Sequence, residues 1–198
     1  MRSLINVDGV ILAAGKSSRM GLVNKVQANL AGRSLLEIVV TKLKPQVDKL
    51  LINGDPAICG DKALVDQVEG FQGPLMGLYT ALLSDRLSAA DYLMMVPCDG
   101  PFVPDNLVAE LYQQIVQADA DIASVRYQGF AQPTFSLWHK RALPDIEQAL
   151  LVKRNGGFKP LLQRLNTLYL DWPEQNPSPF FNINTPQDLA LAEKLLCP

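Results

Sequence analysis

The residues most suited to chemistry lie near the start, in Val10-Ile11-Leu12-Ala13-Ala14-Gly15-Lys16-Ser17-Ser18-Arg19-Met20-Gly21, with Lys25 just beyond. An apolar run of strand type, Val10 to Ala13, breaks into small residues carrying two cations. Gly15 and Gly21 permit turns that bulkier residues resist. Ala13 and Ala14 keep side chains out of the way, so backbone N–H groups can approach a ligand. From Gly9 to Leu36 the charged residues are Lys16, Arg19, Lys25 and Arg33, with no carboxylate among them. Donors and cations without acids suit a polyphosphate. A basic strand-to-helix turn with no ligand has the same composition, so the rest of the chain must decide.

Other phosphate loops do not fit. A Walker A loop needs a glycine five positions before Gly15, where Val10 stands, and Gly9 is one residue too early. The G-x-G-x-x-G fingerprint of dinucleotide sites is absent, and so are the H-R-D and D-F-G partners of a kinase glycine loop.

Asp99 follows the most apolar run, Tyr92-Leu93-Met94-Met95-Val96, and precedes Gly100-Pro101. A carboxylate at the end of a buried strand suits Mg²⁺ held by one or two carboxylates and substrate phosphates; an Asp bonding its own turn is the alternative. Asn182 and Asn184 lie two apart, so on a strand they share a face, although Asn184 could equally lead into a Thr185 helix cap. Asn53 with Gly54, and Asp66, read either as site residues or as turn residues. Gly73-Pro74-Leu75-Met76-Gly77 offers backbone donors at a helix entry. His139, the one histidine, sits beside Lys140 and Arg141 on a predicted surface turn and has no partner for triad hydrolysis.

The elements that must position these residues alternate between strand and helix, the pattern of a mainly parallel sheet with helices on both faces. Strands are predicted at Val7–Ala13, Leu50–Asn53, Ala63–Val68, Tyr92–Val96, Ile122–Val125, Thr134–Trp138 and Phe180–Asn184. Helices are predicted from Ser34, an N-cap with Glu37 three residues on, to Leu43, then at Leu78–Leu83, from Pro104 and Asp105, at Asp145–Leu151 and Lys159–Leu165, and from Thr185 to the end. Gly15, Asn53, Asp66, Asp99 and Asn184 each fall at or just after a predicted strand end. Ligands of open parallel sheets bind beyond those ends.

With 198 residues, 48% of them hydrophobic and 19% charged, the chain is sized for one globular domain, residues 1–198, with a real core. A net charge of −2 argues against general nucleic-acid or acidic-membrane binding. Cys59, Cys98 and Cys197 are few and widely spaced, as in a reducing compartment, and no run approaches a membrane span. A cytoplasmic protein is expected.

L-A-A-G-K-S-S-R-M-G-L-V-N-K, G-P-L-M-G, P-C-D-G-P-F and F-N-I-N-T-P occur here in order. Their sequence and spacing resemble those of the molybdenum cofactor guanylyltransferases, through nearly the whole chain. That resemblance implies a Rossmann-like nucleotidyltransferase domain, an α/β three-layer fold. It implies GTP and molybdopterin as substrates, Mg²⁺ as cofactor, and proteins that deliver or receive the molybdenum cofactor as possible partners. GTP-binding positions fall on Leu12, Ala13, Ala14, Gly15, Lys25, Asn53, Asp66 and Asp99, with Mg²⁺ on Asp99. Asn182 and Asn184 match the C-terminal Asn pair at the active site, and Arg19, Lys25 and Asp99 take the catalytic roles. The family's usual second glycine is Ala14 here, and L-A-A-G is typical of cytidylyl-transferring relatives, so cytidylyl or sugar-phosphate nucleotidyl transfer are the rival activities. A nucleotide-binding protein without the chemistry is the non-enzymatic rival.

Overall fold

The computed structural model describes residues 6–14, 25–66 and 73–196. In chain order its strands are β1 (Val7–Leu12), β2 (Asn29–Leu30), β3 (Arg33–Ser34), β4 (Leu50–Asn53), β5 (Tyr92–Pro97), β6 (Ile122–Tyr127), β7 (Phe130–His139) and β8 (Thr167–Trp172). The helices are α1 (Leu35–Leu43), α2 (Pro56–Cys59), α3 (Pro74–Leu82), α4 (Leu107–Ala118), α5 (Leu143–Glu147), α6 (Lys159–Arg164) and α7 (Pro186–Leu196).

Six strands form one sheet in the order β4-β1-β5-β7-β6-β8, and β2 pairs with β3 in a small ribbon. β4, β1 and β5 pair in parallel, as do β6 and β8, while β7 runs against its neighbours on both sides. The single antiparallel strand follows from the chain's path. β6 turns directly into β7 through Gln128 and Gly129, both at positive φ, leaving no room for a crossover helix.

Alternation along the central strands fills both faces. Val7, Ile11, Met94 and Val96 point to the side covered by Val39 and Leu43 of α1 and by Leu107, Leu111 and Ile115 of α4. Val10, Leu93 and Met95 point to the other side, against α3, Ile146 of α5 and Leu161 of α6. Each such buried aliphatic contributes about 1.5–3 kcal/mol relative to exposure. The result is the expected three-layer arrangement. A third cluster, Leu30, Leu35, Ile183 and Ala192, ties α7 to the ribbon.

The caps are as the sequence predicts. Ser34 Oγ accepts the Glu37 N–H and Glu37 returns a bond to the Ser34 N–H, closing a capping box on α1. Thr185 and Asp188 exchange the same pair of bonds at the start of α7.

Several boundaries differ from expectation. Phe180–Asn184 is not a strand: it crosses the rim of the sheet and touches it through one backbone bond, from Ile183 N–H to Asp99 O at 2.8 Å. The sixth strand is instead β8, which pairs with β6 from Ile122↔Thr167 to Tyr127↔Trp172. Of Ala63–Val68, Leu64 makes an isolated bridge to Asn53, and residues 67 and 68 lie outside the described residues. α3 begins at Pro74 rather than Leu78, because proline fits the first helical position. α4 begins at Leu107, after Asn106.

Candidate active site at the carboxyl ends of the central strands

β4, β1 and β5 end level with one another, with Leu12 paired to both Asn53 and Pro97. Ala13 N–H donates to Asn53 O at 2.7 Å, and Cys98 N–H donates to Leu12 O at 3.0 Å. At about 4.8 Å per strand, the ends of β4 and β5 stand about 10 Å apart, with β1 between them. Leu12 is half-buried, Ala13 is buried and Ala14 is exposed just above them. Gly15 and Arg19 lie outside the described residues, as do Lys16 and the remainder of that loop. Lys25 opens a single 3-10 turn, Lys25–Gln27; its side chain is outside the description.

On the β4 side, Asn53 is only 1% exposed. Its Nδ2 donates to Leu64 O at 3.1 Å and to Asp66 Oδ1 at 2.7 Å. Its Oδ1 abuts Gly77 of α3, where a Cβ would collide with it. The structure thus joins Asn53 and Asp66, and Thr80 Oγ1 lies 3.5 Å from the same Asp66 oxygen. Thr80 was not singled out from the sequence, because the helix around it is buried on every side; the one available signal was its spacing of three residues from Gly77. The segment Gly73 to Gly77 is the first turn and a half of α3 itself, and Gly73 backs onto the Gly156 carbonyl.

On the β5 side, Asp99 is half-buried in the turn after the strand. The Ile183–Asp99 backbone bond lays the 180–184 segment beside it. Gly100 is the contact point: a Cβ there would stand 2.6 Å from Phe135 Cζ and 3.3 Å from Asn182 Oδ1. Asn182 Oδ1 is buried and has no hydrogen-bond partner among the described residues. Behind it, Phe180 packs edge-on against Phe135, Tyr127 and Trp172, with ring centroids 5.0–5.6 Å apart. Asn182 and Asn184 do not share a strand face. Asn184 N–H donates to Asp188 Oδ2 at 2.9 Å and its Nδ2 to Asn182 O at 3.4 Å, so Asn184 helps to cap α7.

No group of three His, Cys, Asp or Glu side chains able to hold a metal gathers among the described residues. The carboxylate of Asp99 and the orphaned amide oxygen of Asn182, which lies against the adjoining Gly100, are both hard oxygens. Such a set fits Mg²⁺ whose other ligands are water and substrate phosphate.

Other reactive groups lie elsewhere or are subdued. Burial, reinforced by Asp55, pushes the Cys59 thiol up, away from the thiolate form, and its Sγ lies 2.7 Å from where a Gly54 Cβ would be. His139 ends β7, opposite Tyr92 at the start of β5, on the far rim of the sheet. Rather than lying on a surface turn, it is half-buried with its ring edge-on to Tyr92, and its Nδ1 accepts the Arg141 N–H. No helix among the described residues is long and apolar enough to cross a membrane.

A family model described as the MobA-like NTP transferase domain matches residues 9–168. The chain is 38% identical over 193 residues to the molybdenum cofactor guanylyltransferase of Rhodopseudomonas palustris (strain BisB5), covering 94% of this chain and 92% of that protein. It is 37% identical over 185 residues to the protein of the same name from Vibrio cholerae serotype O1, covering 91% and 88%. A solved structure of molybdopterin-guanine dinucleotide biosynthesis protein A from Archaeoglobus fulgidus superposes with a TM-score of 0.81 at 23% identity, over 96% of this chain and 98% of that one, a likeness of fold.

Proposed function

The chain belongs to the MobA-like NTP transferase family, and we propose that it is a molybdenum cofactor guanylyltransferase that moves GMP from GTP to the terminal phosphate of molybdopterin. An oxygen of that phosphate attacks the α-phosphorus of GTP, the bond from the α-phosphorus to the β-phosphate oxygen breaks, and pyrophosphate leaves. Two phosphates reacting in line need positioning and charge neutralisation rather than a protein nucleophile.

The residues divide by place. Leu12, Ala13, Ala14 and Gly15 line the nucleotide where β1 ends, Ala14 and Gly15 with small side chains and backbone N–H groups, while Arg19 and Lys25 neutralise the triphosphate. Asn53 and Asp66 form the wall at the end of β4, the buried Asn53 holding Asp66, whose carboxylate faces the nucleoside. Asp99 would hold Mg²⁺, with Asn182 as a neutral oxygen in the neighbouring segment and Asn184 anchoring that segment to α7. Bound there, Mg²⁺ would offset the charge that builds on the phosphates as the bond to pyrophosphate breaks.

The observation that carries this reading is the Ile183–Asp99 backbone bond, which lays Asn182 against Gly100 at the end of β5, across β1 from Asn53 and Asp66. Ala14 favours one second reading, transfer of CMP from CTP to the same acceptor. Incubation with Mg²⁺, a mixture of the nucleotides and molybdopterin, followed by mass spectrometry, separates the two: guanine dinucleotide product supports the first, cytosine dinucleotide the second, and neither product removes both.

A further inference from the structure

We infer that Thr80 is a positioning residue for the nucleotide, acting through Asp66; this rests on the placing of Asp66 in the GTP site proposed above. α3 lays one face against the end of β4, and Gly77 and Thr80, three residues apart, share that face. Gly77 lets the helix come close: a Cβ there would strike Asn53 Oδ1 and stand 2.7 Å from Leu12 Cδ2. The close approach carries the Thr80 hydroxyl, 2% exposed, to Asp66 Oδ1. Asn53 Nδ2 donates to the same oxygen, and its other amide hydrogen is held by Leu64 O.

Two buried donors, from two different elements, therefore converge on one oxygen of a half-buried carboxylate. Asp66 Oδ2 makes no hydrogen bond among the described residues. Tying Oδ1 fixes the carboxyl plane and leaves Oδ2 as the acceptor presented to a ligand. An ionised carboxylate oxygen accepts only, and it repels phosphate. Its partner is a neutral donor of the nucleoside, a ribose hydroxyl or a base N–H. Thr80 holds the acceptor in place for that donor.

The test measures GTP binding calorimetrically, with thermal melting to confirm folding, for wild type, Thr80→Val, Thr80→Ser, Asp66→Asn and the Thr80→Val/Asp66→Asn pair. Thr80→Val keeps the volume and removes the hydroxyl. It should weaken GTP binding roughly two- to tenfold, the scale of one ordinary net hydrogen bond, the contact being long at 3.5 Å, and raise KM with little change in kcat. Thr80→Ser should restore binding, and Thr80→Val should add nothing in the Asp66→Asn background. The effect should be absent with inorganic triphosphate. Its loss with 2′,3′-dideoxyGTP assigns the ribose, its persistence the base, and either supports the inference. Wild-type affinity in Thr80→Val, a Thr80→Ser no better than Thr80→Val, or full multiplication of the two effects overturns it. Folded Asp66→Asn with unchanged GTP affinity instead removes Asp66 from the nucleotide site, which is failure of the underlying reading.

Discussion

Ile183 donates its backbone N–H to the carbonyl of Asp99 across 2.8 Å, and this one bond brings the segment before α7 to the end of β5. Asn182 is thereby pressed against Gly100 with its Oδ1 buried and unpartnered among the described residues. A buried oxygen without a partner costs about 1–3 kcal/mol. Retaining such a group in a fold makes sense where a ligand completes it.

Asn182→Ala is therefore expected to melt no lower than wild type while losing transferase activity. Asp99→Ala and Lys25→Ala should each lose roughly a hundredfold or more in turnover, the scale of one electrostatic contact to the reacting phosphates, with the fold kept. Steady-state rates beside thermal melts check all three. Full activity with a lowered melting point in Asn182→Ala would make that residue structural.

Gly77→Ala sets two effects against each other. Alanine favours a helix interior by about 1 kcal/mol, yet its methyl collides with Asn53 Oδ1. Overpacking a tight core costs about 1–3 kcal/mol, and the Asn53 amide is fixed by both of its hydrogens, so it cannot swing aside freely. The collision should win: a lower melting temperature and weaker GTP binding. A variant more stable than wild type would show that α3 can lift away at little cost.

Burial, with Arg141 adding to it, holds the His139 imidazole below its ordinary value of 6.5. Asp91, Asp119 and Asp121 pull the other way, more weakly. The unfolded chain therefore takes up this proton first as pH falls. The neutral ring leaves folding undisturbed above about pH 6.5, and stability is lost as pH drops below it. Between about pH 7 and 5 the melting temperature of wild type should fall more steeply than that of His139→Gln. Parallel curves would contradict this.

Much of the fold was legible in the sequence because its signals are local. The apolar runs of β1, β4 and β5, the Ser34–Glu37 box and the Thr185–Pro186 start need no tertiary information. What was misread depends on distant contacts. Phe180-Phe181-Asn182-Ile183-Asn184 alternates like a strand, but Phe180 is buried by Phe135, Tyr127 and Trp172, and Ile183 by the α7 cluster. At the candidate site, Asn53 ends β4 and Asp99 follows β5 as expected, whereas Asp66 follows only the isolated Leu64 bridge and not a strand. Thr80 could not be located from the sequence, because its hydroxyl acquires meaning only when α3 closes on β4. Asp8 is a similar case: a carboxylate in the first strand, fully buried, whose Oδ2 takes the Ser88 N–H at 2.8 Å with Lys140 Nζ 3.7 Å away.

Ala14 is exposed two residues beyond the end of β1, and the proposed choice between guanine and cytosine turns on it. Ala14→Gly should raise turnover with GTP relative to CTP, read from competing nucleotides in one reaction. If both the variant and the parent prefer CTP, guanylyl transfer is the wrong branch.

The most direct measurement is pyrophosphate release from GTP, CTP, ATP and UTP, each with Mg²⁺, in the presence and absence of molybdopterin. Release from GTP that requires the acceptor, and that disappears in Asp99→Ala, is the predicted result. Release from another nucleotide in preference to GTP, or none from any of the four with a folded protein and acceptor present, would contradict it.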